Sequence, residues 1–166
     1  AYEVAEISIN SYFINYVTGQ GWMEPATAST VLTVGLGLFM LARFIGAAVM
    51  SNVPAEKYLL ICAVGTVACI AVLLLDLGRN ISMAALMMNY FFEAIMFPTI
   101  FALTLRGLGG LTKSASSILM MTPVGGCGFL LMGYAADHAG NFVLPFFIPL
   151  VGYAIVMAYA WSTVKK

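Results

Sequence analysis

Two groups of carboxyl and amide side chains lie inside stretches of sequence that are otherwise apolar. Glu3, Glu6 and Asn10 are separated by three and four positions, and Asn89 and Glu93 are four positions apart. Residues three or four apart lie on the same face of an α-helix. Each group would therefore present several polar atoms from one side of a helix, which suits hydrogen bonding to a ligand or holding a proton.

The elements that carry these residues are predicted to be membrane helices. The chain has 166 residues, of which 62% are hydrophobic and 8% charged, whereas an ordinary globular domain is about half apolar and a quarter charged. A soluble domain of this size could not bury so much apolar surface, so we expect a lipid bilayer around it. The seven basic and seven acidic residues cancel, which leaves no basic surface for nucleic acid.

Six stretches are long and apolar enough, or nearly so, to cross ~30 Å of hydrocarbon, which takes roughly 20 residues. We place these spans near 1–18, 27–50, 58–77, 81–105, 114–134 and 142–161. The polar breaks between them are short, so consecutive helices should be antiparallel neighbours. The apolar runs do not alternate in the way that β-barrel strands do. The sequence therefore predicts an all-α membrane protein of six transmembrane helices.

Basic residues predict the orientation, because cytoplasmic loops carry an excess of lysine and arginine. The loops on one side have only Arg79, whereas the other side, with the C-terminus, has five: Lys57, Arg106, Lys113, Lys165 and Lys166. We expect a multi-pass protein of the plasma membrane, or of the inner membrane of a bacterial cell, with both termini in the cytoplasm. Since the first span begins at residue 1 without a flanking polar segment, we also expect the chain to be part of a longer protein.

Glu6 and Glu93 are then predicted to lie near the middle of the membrane. A charge there costs at least ~2.5 kcal/mol, so such residues normally face a cavity or a partner. Removal from water disfavours the charged form of a carboxyl group, so either residue could be a neutral hydrogen-bond partner or an exchangeable proton site. A structural alternative stays open for Glu6, which could bond to Asn89 or Arg43 and hold helices together.

The order of polar and apolar spans predicts an internal repeat. The first and fourth spans carry carboxyl and amide groups, the second carries Arg43, and the third and sixth are almost free of ionisable groups and should face lipid. An odd number of spans reverses the direction of the second copy, so this order predicts two inverted three-helix repeats. Such repeats build each half of major facilitator transporters, with the substrate site at the midplane between the halves.

Glycine and proline mark places of close packing or bending. Small residues allow membrane helices to approach closely, and Pro98 is expected to bend the fourth span just inward of Glu93. The glycines could form a sliding contact with a second half, or they could pack helices within this half. They are Gly35, Gly37 and Gly46 in the second span, and Gly125, Gly126 and Gly128 after Pro123 in the fifth.

No metal site, cofactor or enzymatic activity is predicted. Cys62, Cys69 and Cys127 lie in apolar runs without a companion histidine, so they are interpreted as small buried hydrophobic residues. His138 is the only histidine and falls in a predicted outer loop. An intramembrane enzyme would need a metal-binding cluster or a nucleophile–histidine pair inside the spans, and neither pattern occurs.

Several segments carry a resemblance to one family. Residues 91–103 (FFEAIMFPTIFAL) resemble the tenth helix of the fucose–galactose–glucose:proton symporters of the major facilitator superfamily. Arg43-Phe44-Ile45-Gly46 resembles the motif ending the eighth helix, and the Gly-x-x-x-Asp-x-x-Gly pattern within 133–141 resembles the turn before the twelfth. Residues 107–109, 112–113 and 116–117 resemble the loop into the eleventh. The residues that match the seventh helix are Tyr2, Ala5, Glu6, Ser8, Ile9, Ser11, Asn15 and Tyr16.

The resemblance covers the whole chain as helices seven to twelve, the carboxy-terminal half of a major facilitator fold. It implies symport of a monosaccharide, L-fucose or a hexose such as galactose or glucose, with a proton by alternating access. The partners implied are the sugar, the proton, the bilayer and an amino-terminal six-helix half, without which the chain should not transport. A non-transporting sugar sensor or a relic half-transporter is the alternative.

Candidate site residues follow from the polar pattern and the resemblance together. Arg43, Pro98 and Asp137 are expected to have structural or gating roles. Related permeases often have asparagine at the position of Glu93 and glycine at that of Asn10, which puts the sugar preference in doubt, and the family's proton-handling carboxylates are expected in the amino-terminal half. The predicted substrate-binding residues are Glu6, Asn10, Asn15, Asn89 and Glu93.

Overall fold

The computed structural model describes residues 1–107, 109–121 and 127–165, and within these ranges the regular structure is helical throughout. Short 3-10 turns lie at Gly109–Leu111 and Leu144–Phe146. The predicted all-helical class is therefore confirmed. The α-helices are α1 (Tyr2–Gly19), α2 (Pro25–Val49), α3 (Ala55–Leu74), α4 (Arg79–Glu93), α5 (Met96–Leu105), α6 (Thr112–Leu119), α7 (Gly128–Ala139) and α8 (Phe147–Val164).

Four segments of the described chain are long and apolar enough to cross a membrane: Pro25–Val49, Ala55–Leu74, Arg79–Leu105 and Leu144–Val164. Helix α1 has 18 residues and carries Glu3 and Glu6, and it is not among the four. The predicted fifth span, 114–134, contains α6 and α7, but residues 122–126 lie outside the described part of the chain, as do Leu108 and Lys166. The count of six spans and the inverted repeats remain predictions.

Only part of the glycine cluster of the predicted fifth span lies within the described residues. Pro123, Gly125 and Gly126 lie outside the described residues. Gly128 begins α7 and is buried, and a Cβ atom there would lie 2.6 Å from a methyl of Val4 and 2.8 Å from the Ser8 hydroxyl. Gly128 therefore lets α7 pack closely on α1 within this chain.

The centre of the fold is formed by α1, α3, α4 and α8. Helix α3 packs most extensively against α4 and α8, while α1 packs against α7, α8 and α2. An aromatic cluster closes one end of α1, where the Tyr16 and Phe146 ring centroids are 4.9 Å apart and those of Tyr12 and Phe146 are 5.8 Å apart. These edge-on contacts hold the segment before α8 against α1.

Helix α2 buries only small residues, and this brings it close to α4. Its buried positions are Ala28, Gly35, Ala42 and Gly46, which recur every seven or four residues and so form one stripe along the helix. Many of its bulky apolar side chains are exposed, as at Met40 (61%), whereas Val31 and Leu32 are partly buried against the core. The backbone of α2 therefore lies near α4, with many of the bulky apolar side chains of α2 directed outward.

The three glycines of α2 have different surroundings. A Cβ atom at Gly35 would lie 2.8 Å from the Tyr90 ring, and one at Gly46 would overlap the Ile95 side chain, whereas no described residue lies within 4 Å of that position at Gly37. Gly35 and Gly46 therefore serve packing within this chain. Gly37 lies on the outward side of α2.

Candidate functional site

The site is organised around an interruption of the fourth predicted span. Helix α4 ends at Glu93 and α5 begins at Met96. Pro98, two residues into α5, has no N–H group, so it cannot bond to the carbonyl oxygen of Ala94 four residues before it, and its ring clashes with that carbonyl. The interruption therefore leaves buried carbonyl groups that need other donors.

Side chains from α1 and α2 supply those donors. The Arg43 Nε group donates to the Ala94 carbonyl oxygen at 2.9 Å, and the Tyr2 hydroxyl donates to the Glu93 carbonyl oxygen at 2.8 Å. The Arg43 guanidinium also lies 4.8 Å from the centroid of the Phe39 ring. Within the described residues, the hydrogen bond of Arg43 goes to a backbone carbonyl oxygen, and no salt bridge joins Arg43 to a carboxylate.

Replacing Arg43 with methionine is expected to lower the free energy of unfolding by about 1–3 kcal/mol, because a buried carbonyl loses a charged donor. The loss should shrink in a Pro98→Ala background, where a backbone N–H at position 98 can bond to the Ala94 carbonyl. Denaturation of the detergent-solubilised full-length protein measures both values. An equal loss in the two backgrounds would show that the Ala94 carbonyl is not what Arg43 stabilises.

Glu93 is the centre of a buried polar cluster. Its side chain, like that of Asn89, is 0% exposed. The Asn89 Nδ2 group donates to Glu93 Oε1 at 2.6 Å, and the Tyr153 hydroxyl from α8 donates to the same oxygen. The cluster therefore joins α4 to α8, while the Tyr2 hydroxyl on the backbone of Glu93 joins it to α1.

Several atoms of this cluster have no hydrogen-bond partner in the described part of the chain. They are Glu93 Oε2, Asn89 Oδ1 and the Tyr90 hydroxyl. Burying a polar group without a partner costs roughly 1–3 kcal/mol on scales drawn from protein mutants. Polar groups that remain unpaired inside a native fold need an explanation, and a functional role is one of the recognised ones.

The predicted residues of α1 occupy a more accessible surface. Glu6 and Asn10 are partly exposed, and Asn15 is exposed. Glu6 interacts electrostatically with Tyr2, Glu93 and Arg43. Glu6 and Asn10 share a helix face, but the five residues from Asn10 to Asn15 turn the helix by roughly 140° from that face.

Asn15 belongs instead to a groove between α1 and α7. This groove has a volume of about 340 Å³ and is lined by residues that include Tyr12, Asn15, Thr18, Asp137 and Phe142. Asp137 lies near the end of α7, where Gly140 takes a left-handed conformation (φ 60°) and ends the helix. The structure thus brings together Asn89 with Glu93 and Asn15 with Asp137, in two separate places.

Sequence reasoning missed the contribution of Tyr153. The sixth span was expected to be a plain lipid-facing helix because it has no carboxylate, lysine or arginine, yet Tyr153 is fully buried and bonds to Glu93. Buried tyrosines usually find a hydrogen-bond partner for the hydroxyl. A tyrosine in the middle of an apolar span was therefore the available signal.

Comparison with known proteins identifies relatives that match nearly the whole chain. A glucose/galactose transporter of Brucella abortus is 35% identical over 162 residues, which are 95% of this chain and 39% of the relative. The L-fucose-proton symporter of Escherichia coli K12 is 31% identical over 162 residues, which are 96% of this chain and 36% of the relative. The chain thus spans about two fifths of the length of the curated relatives it matches. No protein-family model matches it.

Solved structures show the same fold. The chain matches a crystal structure of a major facilitator superfamily transporter, FucP, in the outward conformation, with a TM-score of 0.89 and 30% sequence identity. A second crystal structure, of the E. coli fucose:proton symporter FucP, gives the same TM-score and identity. Each match covers 96% of this chain and 39% of the solved chain.

Proposed function

We propose that this chain, a partial FucP-like transporter of the major facilitator superfamily, is the carboxy-terminal six-helix half of a monosaccharide carrier. The substrate is L-fucose or a hexose such as galactose or glucose. It is carried together with a proton by alternating access, and transport needs the amino-terminal half. Support comes from relatives that are named glucose/galactose transporter and L-fucose-proton symporter.

The proposal for the site depends on the polar surface of α1, where Glu6 interacts electrostatically with the buried Glu93. Glu6 and Asn10 are partly exposed there, and Asn10 Oδ1, although itself buried, has no hydrogen-bond partner among the described residues. Sugar hydroxyls both donate and accept hydrogen bonds, so they match a carboxyl and an amide placed side by side. Asn89 and Glu93 lie behind this surface, and Asn15 is assigned to the outer groove with Asp137.

The membrane and the orientation of the chain are part of the same proposal. The protein is a multi-pass protein of the plasma membrane or of a bacterial inner membrane, with both ends of this chain in the cytoplasm. At the proposed cytoplasmic side, Arg106 at the end of α5 and Glu56 at the start of α3 form a salt bridge of 2.5 Å. The start of α3 and the end of α5 therefore lie at the same level, which supports the positive-inside assignment.

Uptake by the full-length protein tests the function. Cells or vesicles containing it should accumulate labelled L-fucose, galactose or glucose, and dissipation of the proton gradient should abolish that accumulation. Saturable sugar binding without accumulation would instead support a sugar sensor. Absence of both binding and uptake for all three sugars would contradict the proposal.

Replacing both Glu6 with glutamine and Asn10 with alanine is expected to weaken sugar binding by about tenfold or more. The glutamine removes the charge of one acceptor and the alanine removes the second polar group, and each change costs roughly 1 kcal/mol. Equilibrium binding of the labelled sugar to the solubilised full-length protein measures this. Glu24→Gln is the matched control, since Glu24 is an exposed acid just before α2. Unchanged affinity in the double variant would remove Glu6 and Asn10 from the sugar site.

A further inference from the structure

The two carboxylate oxygens of Glu93 have different surroundings. Oε1 accepts hydrogen bonds from Asn89 Nδ2 and the Tyr153 hydroxyl, whereas Oε2 is buried and has no partner among the residues that the structure describes. The side chain has no exposed surface. A carboxylate in this position would hold its negative charge away from water with one oxygen unsolvated, which is costly unless a cation compensates it.

The cations and acids around Glu93 provide no such compensation. Arg43 of α2 directs its Nε group to the Ala94 carbonyl oxygen, and no salt bridge to Glu93 occurs in the described residues. Helix α1 contributes Tyr2 and a second carboxyl, Glu6, which interacts electrostatically with Glu93. The remaining titratable neighbours are Cys69 of α3, Tyr90 of α4 and Tyr153 of α8.

One added proton would neutralise the buried Glu93 carboxyl group and give Asn89 Oδ1 a donor. Glu93 Oε2 and Asn89 Oδ1 are both buried acceptors without a donor, and they belong to side chains already joined by a hydrogen bond. A proton on the carboxyl group turns one acceptor into a donor, and rotation of the Asn89 amide presents Oδ1 to it in place of Nδ2, so this bond replaces the one that Nδ2 donates to the anion. The two ends of an amide can exchange places without changing the shape of the side chain.

We propose that Glu93 is a proton-carrying group of the transport cycle, located inside this half of the carrier. This proposal rests on the function proposed above, and it explains how sugar binding at that site is coupled to proton binding. In the protonated state the Glu93 O–H donates to Asn89. On release the O–H bond breaks and the Glu6 carboxylate accepts the proton, leaving Glu93 as an anion bonded by Tyr153 and Asn89. Two interacting carboxyl groups disfavour the state in which both are charged, so they share the proton.

Because Glu6 and Glu93 share one proton, sugar binding at Glu6 changes the affinity of Glu93 for the proton. Glu6 lies on the accessible face of α1 and is proposed to bond to sugar hydroxyls, whereas Glu93 is enclosed by α4 and α8. A sugar hydroxyl that donates to Glu6 stabilises its anion and so favours the proton on Glu93. Sugar and proton therefore bind together, which is what symport requires.

Glu93→Gln in the full-length protein tests the proposal, because the amide keeps an acceptor for Tyr153 and a donor for Asn89 but cannot release a proton. In proteoliposomes, sugar exchange without a gradient and accumulation driven by an inward proton gradient are measured side by side. We expect the ratio of accumulation to exchange to fall by about tenfold for a gradient of one pH unit. A ratio equal to that of the unaltered protein, with the same pH profile, overturns the proposal.

Two further variants keep the test decisive. Glu24→Gln makes the same chemical change at an exposed acid and should leave the ratio unchanged. Glu93→Asp retains an ionisable group, so it should keep part of the coupling with a shifted pH profile, and it carries the test if the glutamine variant does not fold. An unshifted profile in the aspartate variant overturns the proposal.

Infrared spectroscopy separates this proposal from the proposed function. The unaltered full-length protein should show the carbonyl band of a protonated buried carboxyl group, and Glu93→Gln should lack it. If the unaltered protein transports none of the three sugars, the proposed function fails while this band still reports the proton on Glu93. If transport occurs and the band is the same in both proteins, the proton site alone is wrong.

Discussion

Replacing Glu93 with alanine is expected to lower the free energy of unfolding by about 2–4 kcal/mol, because the truncation leaves two buried donors without an acceptor and opens a cavity. The donors are the Tyr153 hydroxyl and the Asn89 amide. Chemical denaturation of the detergent-solubilised full-length protein measures the change. The effect should be among the largest for any single polar residue in this chain, since both donors belong to different helices that the carboxyl group joins.

A double-mutant cycle with Tyr153→Phe is the control. The phenylalanine variant removes one donor and retains the ring, so in that background Glu93→Ala leaves only the amide unpaired and should cost less. Glu93→Gln, which keeps an acceptor, should also cost less than Glu93→Ala. Additive losses in the cycle would show that the hydroxyl and the carboxyl group do not stabilise one another.

Replacing Gly35 with leucine is expected to cost about 1–3 kcal/mol of unfolding free energy, because the interior at this point has no room for a side chain. A Cβ atom there would lie 2.8 Å from the Tyr90 ring. That ring is fully buried and packs on Phe13, with 6.4 Å between centroids, so it cannot rotate away freely. Helix α2 must move off α4 to accommodate the change. Thermal unfolding in detergent measures the loss.

Gly37→Leu is the matched control, two residues further along the same helix. Nothing lies within 4 Å of the Cβ position at Gly37, so the same substitution should be nearly neutral or slightly stabilising, since leucine is a better helix former than glycine. Equal destabilisation by the two substitutions would contradict the packing of α2 on α4 described here.

The kinked fourth span explains why polar groups from three other helices converge on one place. Pro98 removes a backbone donor, and the backbone carbonyl groups near the kink accept hydrogen bonds from Arg43 of α2 and Tyr2 of α1. Glu93 lies at the end of α4, so its side chain and its backbone carbonyl are both held by other helices. A movement of α1 against α4 would therefore alter the surroundings of Glu6 and Glu93 at the same time.

Local features of the sequence were sufficient for the class of protein and for part of the site. A high apolar content with few charges requires lipid or a buried interior regardless of the fold. The pairing of Asn89 with Glu93 depends only on helical periodicity, and the structure shows that hydrogen bond at 2.6 Å. The interruption near Pro98 likewise follows from the chemistry of one residue.

Contacts between helices required the tertiary structure, because the rotation of each helix about its axis and its depth against its neighbours are set by packing. Tyr153 reaches Glu93 across 60 positions of sequence, and Arg43 reaches Ala94 across 51. The same packing buries Gly35 but leaves Gly37 on the outward side of α2. It also places Asn15 in the groove with Asp137, away from Asn10. Thus the sequence by itself determined that polar groups lie on α1 and α4, whereas the packing of α1, α2 and α8 around the kink decided that Glu93 is enclosed and Glu6 partly exposed.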